Sequence, residues 1–551
     1  MEELKKDILE YIDSGLNGFA DEIISGTYKQ NRSMLVGFAN LLKHYEYENT
    51  PLPYVLLDEQ NTGYENIIQR LNSVITRNSN KKEVIIIKGN PGSGKSAIAI
   101  NAWIESILIA KKNDLDPQKN IVFCTTSDAQ HKAWTNVVNK SGIAGIDNAI
   151  IKASKFNPGI NSNNINNLVD VLRDIKPNVL YADGKQHGKI KYRIDPLKWR
   201  ETLKLFKSGV LEKYGYKYNK IDEFLLVLVD EAHGLMQPVD ETKKGKEQII
   251  KIGTKDIPPA VGPMSYHIID NSKISVFFID SQQAYRDKES TRETDIERYA
   301  KELGANITTI DLEDSEYRCG GSKEYVEWVR NLFESPKLLD SKKWKNDFSL
   351  QVVDYPSDME EILIQHIAEG CSVRYMAYYS VEWKTQNIES NPSKYFLPPD
   401  KKDFCLPDKN GKMFSKCWNS KEDYISPREN HEMYKNPLLE VGYPLVVRGF
   451  DFDYVGIIWL DDLVYRNGTW YISLDKTKLD KGPSSMRSAA IAEAKKKTGL
   501  LSMSKDKEAI NKYCRSIFGN YLVLLTRAIK GNVLYIKDKE TRDYIKSLLL
   551  E

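Results

Sequence analysis

The segment that most restricts the fold of this chain is a glycine-rich loop, GNPGSGKS, at residues 89–96. An apolar run, EVIIIK, precedes the loop, and a stretch with apolar residues at helical spacing, AIAINAWIESILIA, follows it. The loop fits the pattern G-x-x-x-x-G-K-[ST] at every required position. A strand, a glycine-rich turn and a helix in this order predict one unit of an α/β fold with a parallel sheet.

The chemistry of this loop indicates phosphate binding. Glycines let several backbone N–H groups point at one anion, and the start of the following helix adds roughly half a positive charge. Lys95 is predicted to reach the β- and γ-phosphates, and the Ser96 hydroxyl is predicted to ligate magnesium. The predicted nucleotide-binding residues are Gly89, Asn90, Pro91, Gly92, Ser93, Gly94, Lys95 and Ser96. The alternative is a glycine-rich turn without a ligand.

A second element of the predicted site is an acidic pair, Asp230 and Glu231, that follows an apolar run typical of a buried strand in FLLVLVDEAHGL. Asp230 is predicted to hold magnesium through water, and Glu231 to take the proton of the attacking water. Acidic pairs after strands are also common as solvated or capping residues, which is the alternative reading. His233 either couples this element to another lobe or is an ordinary histidine at a helix start.

The length of 551 residues favours two large domains, because single cores stop growing near ~250–300 residues. Residues 1–54 are predicted to form a small helical region. Residues 55–305 are predicted to form one α/β lobe with an elaboration at about 141–220, and residues 306–551 a second lobe with an insertion at about 385–440.

Short β-rich runs supply the predicted strands of the two lobes. The first lobe has EVIIIKG, NIVFCTT, FLLVLVD and ISVFFID, alternating with helical patterns. The second lobe has SVRYMAYYS, YVGIIWL and YLVLLT as predicted strands, with VEWVRNLF and MEEILIQHIAEG as predicted helices. Alternation of this kind is typical of parallel sheets with crossover helices.

Composition excludes some functional classes. A formal net charge of +2 gives no large electrostatic reason to bind nucleic acid, so such binding has to be argued from motifs. Apolar runs such as 224–229 are far shorter than the ~18–20 residues that cross a bilayer. The N-terminal MEELKKDILEYID mixes both charge signs, unlike a secretory signal. We therefore predict a cytoplasmic protein that does not contact a membrane.

The cysteines and histidines give no metal-site spacing. Six cysteines are scattered without a C-x-x-C pair, and seven histidines are not clustered. Cys405, Cys417 and His431 could together hold a metal, or could be ordinary residues. The sequence thus predicts no metal beyond the one that accompanies the nucleotide.

With the loop and the acidic pair in place, the chain resembles superfamily 1 helicases, and most closely the Schlafen-like DNA/RNA helicase domain family of bacterial ATPases. The likeness runs from about residue 55 to the C-terminus. It is carried by LLDEQNTGYENIIQRL, the phosphate loop, VFCTTSDAQ, LVDEAH, FFIDSQQ, LEDSEYRCGGSKEYVEWV, VRYMAYYSVEW, VVRGFDFDYVGIIWLDDLVYRNG and NYLVLLTRAIKG. The resemblance implies two RecA-like P-loop NTPase lobes with ATP bound between them.

The resemblance also implies roles for residues outside the phosphate loop. Gln60 would read the adenine edge, because its amide both donates and accepts hydrogen bonds. Gln283, beside Asp280, would contact the γ-phosphate or the attacking water. Arg318 and Arg527 would reach across the cleft to the phosphates, where cations stabilise transition-state charge.

By the same resemblance, Gly449 and Asp451 match the family's fifth motif, where the acid would contact the ribose. The TTSD run and the loop around Arg448 would lie toward a groove for a single nucleic acid strand. The TTSD residues concerned are Thr125, Thr126 and Ser127. The alternative for this run is a helix cap.

The chain departs from the family pattern at two places. Ile279 replaces the glycine usual before the aspartate of the third motif, and Arg448 stands where a glutamine or lysine often precedes the glycine of the fifth. Both departures bear on strand unwinding more than on ATP binding. No nuclease-type carboxylate–lysine cluster is present in the sequence, so any cleavage would come from a separate partner.

Taken together, the sequence predicts an ATP-dependent helicase or translocase that uses ATP and Mg²⁺ and acts on single-stranded DNA or RNA. The family suggests a role in phage defence or genome maintenance. One alternative is a regulatory ATPase that senses nucleic acid or a protein partner without unwinding strands. Another is a binding scaffold with an inactive nucleotide site.

Overall fold

The computed structural model describes most of the chain from residue 56 to residue 550. The described residues are 56, 58–77, 81–89, 93–141, 146, 148–156, 160–161, 165–186, 189–218, 223–236, 262–280, 291–312, 319, 322–334, 339, 343–418, 424–425, 427, 430–444, 446–447, 450–477 and 486–550. The helical region predicted at 1–54 lies outside them.

The described elements alternate between strands and helices. The strands are β1 (Glu83–Lys88), β2 (Ile121–Thr125), β3 (Ile150–Lys152), β4 (Ile160–Asn161), β5 (Leu180–Gln186), β6 (Lys189–Ile194), β7 (Lys217–Tyr218), β8 (Phe224–Val229), β9 (Ser272–Ile279), β10 (Asn306–Asp311), β11 (Ser349–Val353), β12 (Val373–Ala377), β13 (Phe404–Pro407), β14 (Met413–Trp418), β15 (Glu440–Gly442), β16 (Phe452–Trp459), β17 (Leu463–Arg466), β18 (Thr469–Ser473), β19 (Leu500–Leu501) and β20 (Ala528–Ile536). The helices are α1 (Asp58–Arg77), α2 (Lys95–Lys112), α3 (Pro117–Asn120), α4 (Asp128–Ser141), α5 (Ile165–Ile175), α6 (Trp199–Lys207), α7 (Met264–Asp270), α8 (Glu293–Glu302), α9 (Lys323–Glu334), α10 (Pro356–Ala368), α11 (Glu432–Lys435), α12 (Met486–Ala494), α13 (Glu508–Leu525) and α14 (Lys539–Leu550).

The first sheet has six strands in the order β10-β1-β9-β8-β2-β3, and all of its pairings are parallel. Its central strands are short apolar runs that are buried on both faces. In β1, for example, Ile85 and Ile87 enter one core cluster, whereas Val84 and Ile86 enter the other. This two-sided burial is what a parallel sheet covered by helices requires. The strands predicted for the first lobe are confirmed.

The order of the strands positions the functional loops. β9 lies between β1, which leads into the phosphate loop, and β8, which ends before Asp230. Carboxyl ends of parallel strands meet at one edge of the sheet, where ligands of α/β folds bind. The residue that follows β9, Asp280, therefore lies between the phosphate loop and the acidic pair.

The edge strand β10 also belongs to the first sheet. It pairs with β1 in parallel from Glu83↔Asn306 to Lys88↔Asp311. Residue 306 is the predicted start of the second lobe, and the partner of the strand that begins there could not be inferred from its own sequence. The observed pairing extends the first sheet to Asp311.

The second sheet has seven strands in the order β11-β20-β16-β12-β15-β14-β13 and is parallel except at β13–β14. The helices predicted at VEWVRNLF and MEEILIQHIAEG are confirmed as parts of α9 and α10. The prediction that YLVLLT is a strand is wrong, because these residues end α13. A fully buried helix and a buried strand share the same apolar composition, and the strand here is the next segment, β20.

The two predicted additions to the lobes contain secondary structure of their own. The region at 141–220 includes the antiparallel pairs β4–β7 and β5–β6 and the helices α5 and α6. The insertion at 385–440 extends the second sheet through β13 and β14. It encloses an ion pair in which Lys394 Nζ lies 2.6 Å from Glu440 Oε1, with side-chain exposures of 1% and 0%.

No helix in the described part of the chain is long and apolar enough to cross a membrane.

Candidate nucleotide-binding site

The phosphate loop lies between the end of β1 and the start of α2. Gly94 precedes α2 with φ 83°, a left-handed conformation that favours glycine. A Cβ atom at Gly94 would lie 2.0 Å from Gln60 Nε2. The same amide donates a 3.0 Å hydrogen bond to the Ser93 carbonyl. The structure thus brings Gln60 of α1 against the loop, whereas Asn90, Pro91 and Gly92 lie outside the described residues.

The ammonium group of Lys95 faces back into the loop. Its Nζ lies 2.7 Å from the Gly89 carbonyl oxygen and 3.5 Å from Ser93 Oγ. The side chain is largely buried, so its charge acts where few water molecules screen it. A cation in this position can exchange the carbonyl for the oxygen of a phosphate.

Asp230 lies next to Ser96 across the sheet edge. Ser96 Oγ donates to Asp230 Oδ1 at 3.1 Å and lies 3.3 Å from Oδ2. The backbone N–H of Glu231 donates to Oδ1 at 3.1 Å, and the amide of Gln130 donates to Oδ2 at 2.9 Å. These bonds fix the orientation of the carboxylate, which is 1% exposed.

Burial, together with the neighbouring charge of Glu231, raises the pKa of the Asp230 carboxyl to about 7. The hydrogen bond from Ser96 and the charge of Lys95 act in the opposite direction. A buried carboxyl that needs a nearby cation in order to ionise suits a metal-binding role.

Glu231 is held in an unusual backbone conformation. Its φ of 54° is left-handed, which is uncommon for a residue other than glycine. Its Oε2 lies 3.0 Å from His233 Nε2. The other ring nitrogen of His233, Nδ1, accepts the backbone N–H of Asp280 at 3.3 Å. Because Nδ1 accepts, a neutral His233 carries its proton on Nε2, the ring nitrogen that lies closest to Glu231 Oε2.

The donor set at Ser96 and Asp230 fits a hard divalent cation. A hydroxyl and a carboxylate are the oxygen ligands that Mg²⁺ prefers, and Mg²⁺ usually completes its octahedron with water and phosphate oxygens. Within the described residues, no group of three or more His, Cys, Asp or Glu side chains could hold a metal ion. An ion held by Ser96 and Asp230 would leave coordination positions for phosphate oxygens and water.

The second-lobe residues of the predicted site are only partly described. Arg527 is 1% exposed, and its Nη1 donates to the carbonyls of Phe450 at 3.3 Å and Val447 at 3.5 Å. Asp451 is buried directly before β16. Gln283, Arg318, Arg448 and Gly449 lie outside the described residues, so their predicted roles stay predictions.

The TTSD run lies at the end of β2 and the start of α4. Thr125 Oγ1 donates to the Ile151 carbonyl at 3.3 Å. Ser127 Oγ accepts the backbone N–H of Gln130 at 3.1 Å, so Ser127 caps the start of α4. A helix cap is one of the two predicted interpretations of this run. Contact of this run with a nucleic acid strand stays a prediction.

Sequence reasoning missed a contact between the lobes next to this site. Trp134 of α4 packs against Phe450 of the second lobe, with ring centroids 5.4 Å apart. Gln130, one helical turn earlier on α4, contacts Asp230. The segment QHKAW does show the i, i+4 spacing of Gln130 and Trp134. Their partners are 100 and more positions away, so spacing could not reveal them.

Two of the three residues weighed as a metal site have other local partners. Cys417 Sγ donates to the Lys394 carbonyl at 3.4 Å, and His431 Nδ1 accepts the backbone N–H of Met433 at 3.2 Å. Both contacts are typical of ordinary buried side chains in an insertion.

Comparison with known proteins yields a family match. The sequence profile described as "Schlafen group 3, DNA/RNA helicase domain" matches residues 82–538. No curated protein matches the chain.

Among solved structures, the Pif1 helicase from Candida albicans is 10% identical; the alignment covers 57% of this chain and 55% of that chain, with a TM-score of 0.23. This chain therefore spans about half the length of the Candida protein. Bacteroides Pif1 bound to ssDNA is 10% identical over 90% of this chain and 97% of that chain, with a TM-score of 0.25. A Dbp5 variant of S. cerevisiae bound to RNA and ADP BeF3 is 11% identical over 90% and 91%, with a TM-score of 0.25.

Proposed function

Because the chain belongs to the Schlafen group 3 DNA/RNA helicase domain family, we propose that it is an ATP-dependent helicase or translocase acting on single-stranded nucleic acid. The observation that carries the nucleotide part of the proposal is the contact between Ser96 Oγ and Asp230 Oδ1 at 3.1 Å. This contact joins the phosphate loop to the acidic pair across 134 positions of sequence. It supplies a hydroxyl and a carboxylate at one point, as nucleotide-bound Mg²⁺ requires.

In the proposed reaction, the phosphates of ATP bind over the loop. The ammonium group of Lys95 then exchanges its hydrogen bond with the Gly89 carbonyl for contacts with the β- and γ-phosphate oxygens. Gln60, at the loop's edge, is proposed to read the adenine. Ser96 and Asp230 would hold Mg²⁺, which when bound neutralises charge on the phosphates. All of these groups come from the first lobe.

Glu231 is proposed to act as the general base. It accepts a proton from a water molecule while the water oxygen bonds to the γ-phosphorus and the bond from phosphorus to the bridging oxygen breaks. The products are ADP and phosphate. His233 Nε2 lies 3.0 Å from Glu231 Oε2, which leaves the other oxygen of the carboxylate available for the water.

The second lobe is proposed to contribute positive charge from Arg318 and Arg527. Arg527 is held by the carbonyls of Val447 and Phe450, so a shift of these two residues would move its guanidinium. Opening and closing of the cleft during the ATP cycle would then shift the lobes along a bound strand.

The test is steady-state ATP turnover with and without single-stranded DNA or RNA, at several salt concentrations. A strand-dependent motor is expected to hydrolyse ATP faster with the strand, and the stimulation should weaken as salt rises. Turnover that no strand affects would replace this proposal with the regulatory ATPase. No turnover under any condition would leave a nucleotide-binding scaffold.

A further inference from the structure

Gln130 occupies a buried position between Thr126 and Asp230. Thr126 belongs to the turn that is predicted to contact a nucleic acid strand, and Asp230 is the carboxylate that is proposed to bind Mg²⁺. The Gln130 side chain is 0% exposed. Its Oε1 accepts the backbone N–H of Thr126 at 3.2 Å, and its Nε2 donates to Asp230 Oδ2 at 2.9 Å. Both ends of one amide are therefore used, each on a different element of the first lobe.

The bond to Asp230 complements the other bonds that this carboxylate makes. Ser96 and the backbone N–H of Glu231 both bind Oδ1, whereas Gln130 binds Oδ2. A carboxylate held at both oxygens cannot rotate without breaking a hydrogen bond. Groups of this kind, one step removed from a metal, set the orientation of the ligand that they touch.

The helix that carries Gln130 is also docked on the second lobe. Trp134 follows Gln130 by four positions, so both side chains lie on the same face of α4. Trp134 is 1% exposed and packs between Phe123 of β2 and Phe450, at centroid distances of 5.9 and 5.4 Å. The Phe450 carbonyl in turn accepts from Arg527.

We propose that Gln130 is a positioning residue that orients Asp230 for Mg²⁺, and that the packing of Trp134 on Phe450 holds Gln130 in place. The inference deepens the proposed function and rests on it. In this arrangement, the affinity of the first lobe for Mg·ATP depends on contact with the second lobe. The face of α4 that carries Gln130 and Trp134 links the two.

The test compares Gln130→Met and Trp134→Leu with the wild-type protein. Methionine has nearly the length of glutamine but neither donates nor accepts like an amide, so Gln130→Met removes both bonds with little change in volume. Two readouts are needed: ATP affinity as a function of Mg²⁺ concentration, by fluorescence of a labelled nucleotide, and steady-state turnover over the same Mg²⁺ range.

We expect Gln130→Met to raise the half-saturating Mg²⁺ concentration about 10-fold or more, the scale typical of groups that support metal ligands. Nucleotide affinity without Mg²⁺ should change little. Trp134→Leu should raise the Mg²⁺ requirement by a smaller factor. The double variant should resemble Gln130→Met, because both changes act through one bond.

Asn520→Leu provides a matched control for the loss of a buried amide. Asn520 is 1% exposed on α13, and its Nδ2 donates to the Ser516 carbonyl within that helix. This variant should lose stability while keeping the wild-type Mg²⁺ requirement.

Three results would overturn the inference: a wild-type Mg²⁺ requirement in Gln130→Met, an equal shift in Asn520→Leu, or independent effects in the double variant. If the wild-type protein binds nucleotide in a Mg²⁺-dependent way without turnover, the proposed function fails while the binding readout still decides the role of Gln130. If no nucleotide binds with Mg²⁺, both fail.

Discussion

His233 Nε2 lies 3.0 Å from Glu231 Oε2, while its Nδ1 accepts the backbone N–H of Asp280 from the end of the neighbouring strand. The proposed base is thus oriented by an imidazole whose tautomer is fixed by the backbone. This relation connects the residues that follow β8 and β9, two neighbouring parallel strands whose carboxyl ends lie at the same edge of the first sheet.

His233→Ala removes this contact with Glu231 and is expected to lower kcat by about 10-fold or more, since small displacements of a reacting group have large effects on rate. ATP affinity should stay within a few-fold, because His233 contacts the base and not the phosphate loop. Steady-state kinetics and nucleotide binding measure the two quantities. His267→Ala, which removes another buried imidazole of the same lobe, is the control and should retain kcat.

Glu231→Gln is expected to bind ATP and to lose turnover by roughly 10²–10⁴-fold, the usual contribution of a general base. Glutamine preserves the size of the side chain but cannot take the proton. Equilibrium binding together with a single-turnover assay separates the two effects. Turnover close to wild type would show that another group activates the water.

Lys95→Ala is expected to abolish turnover and to weaken ATP binding, because the loop loses the charge that faces the phosphates. Lys82→Ala is the matched control. Lys82 lies at the opposite end of β1, where its Nζ binds the carbonyls of Asp270 and Ser272. Equal losses in the two variants would mean that the effect of Lys95→Ala is structural.

Gly94→Ala is expected to disrupt the phosphate loop. The new Cβ would lie 2.0 Å from Gln60 Nε2, so the amide must leave the Ser93 carbonyl. ATP affinity, measured by titration, should fall at least about 10-fold as the loop shifts. Gly304→Ala is the control, since its φ of 68° is also left-handed but nothing lies within 4 Å of the added atom. That variant should lose only about 1–2 kcal/mol of stability and keep ATP affinity.

Asp462 gives the second lobe a pH-dependent stability. Burial raises the pKa of this carboxyl from 3.8 to about 6, although the Tyr521 hydroxyl donates to it at 2.7 Å. A raised folded-state pKa favours the folded protein below pH 4, and this contribution is lost as pH rises through 6. The rise of the pKa from 3.8 to about 6 corresponds to about 3 kcal/mol of unfolding free energy. Denaturation of wild type and Asp462→Asn should therefore show the variant gaining relative stability between pH 4 and pH 7.

Asp538 provides the opposite case for the same experiment. Burial works against its charge, but bonds from Arg466 and Thr541 outweigh burial and lower the pKa to about 2. The stability from this carboxylate is present above pH 4 and is lost only as pH falls through 2. The difference between wild type and Asp538→Asn should stay constant from pH 4 to pH 7. A constant difference for Asp462→Asn as well would contradict the proposed titration.

Local patterns were sufficient for the parts of the site that lie within one strand–loop–helix unit. The phosphate loop, β1 and α2 follow from residues 83–112, because strand, glycine turn and helix are coded next to one another. The acidic pair Asp230 and Glu231 could also be predicted, since it directly follows an apolar strand. Residues in that position lie at the carboxyl edge of a parallel sheet, where ligands bind.

Contacts between distant segments could not be predicted in this way. Gln130 is an ordinary polar residue of an amphipathic helix until the fold places it beside Asp230. The run YLVLLT was assigned to a strand because burial on all sides removes the helical periodicity on which the assignment depends. The pairing of β10 with β1 is set by the tertiary fold and could not be inferred from the sequence of the strand alone.

The pairing of β10 with β1 has a mechanical consequence. Lys88 ion-pairs with Asp311 at 2.8 Å, and the backbone N–H of Leu312 binds the Lys88 carbonyl at 2.8 Å, directly before Gly89. In sequence, Leu312 precedes the second lobe. Tension on the main chain beyond Leu312 would therefore act on β10, which pairs with β1, the strand that leads into the phosphate loop. If the protein moves along a nucleic acid strand as proposed, a force on the second lobe would reach the nucleotide site through this main-chain connection.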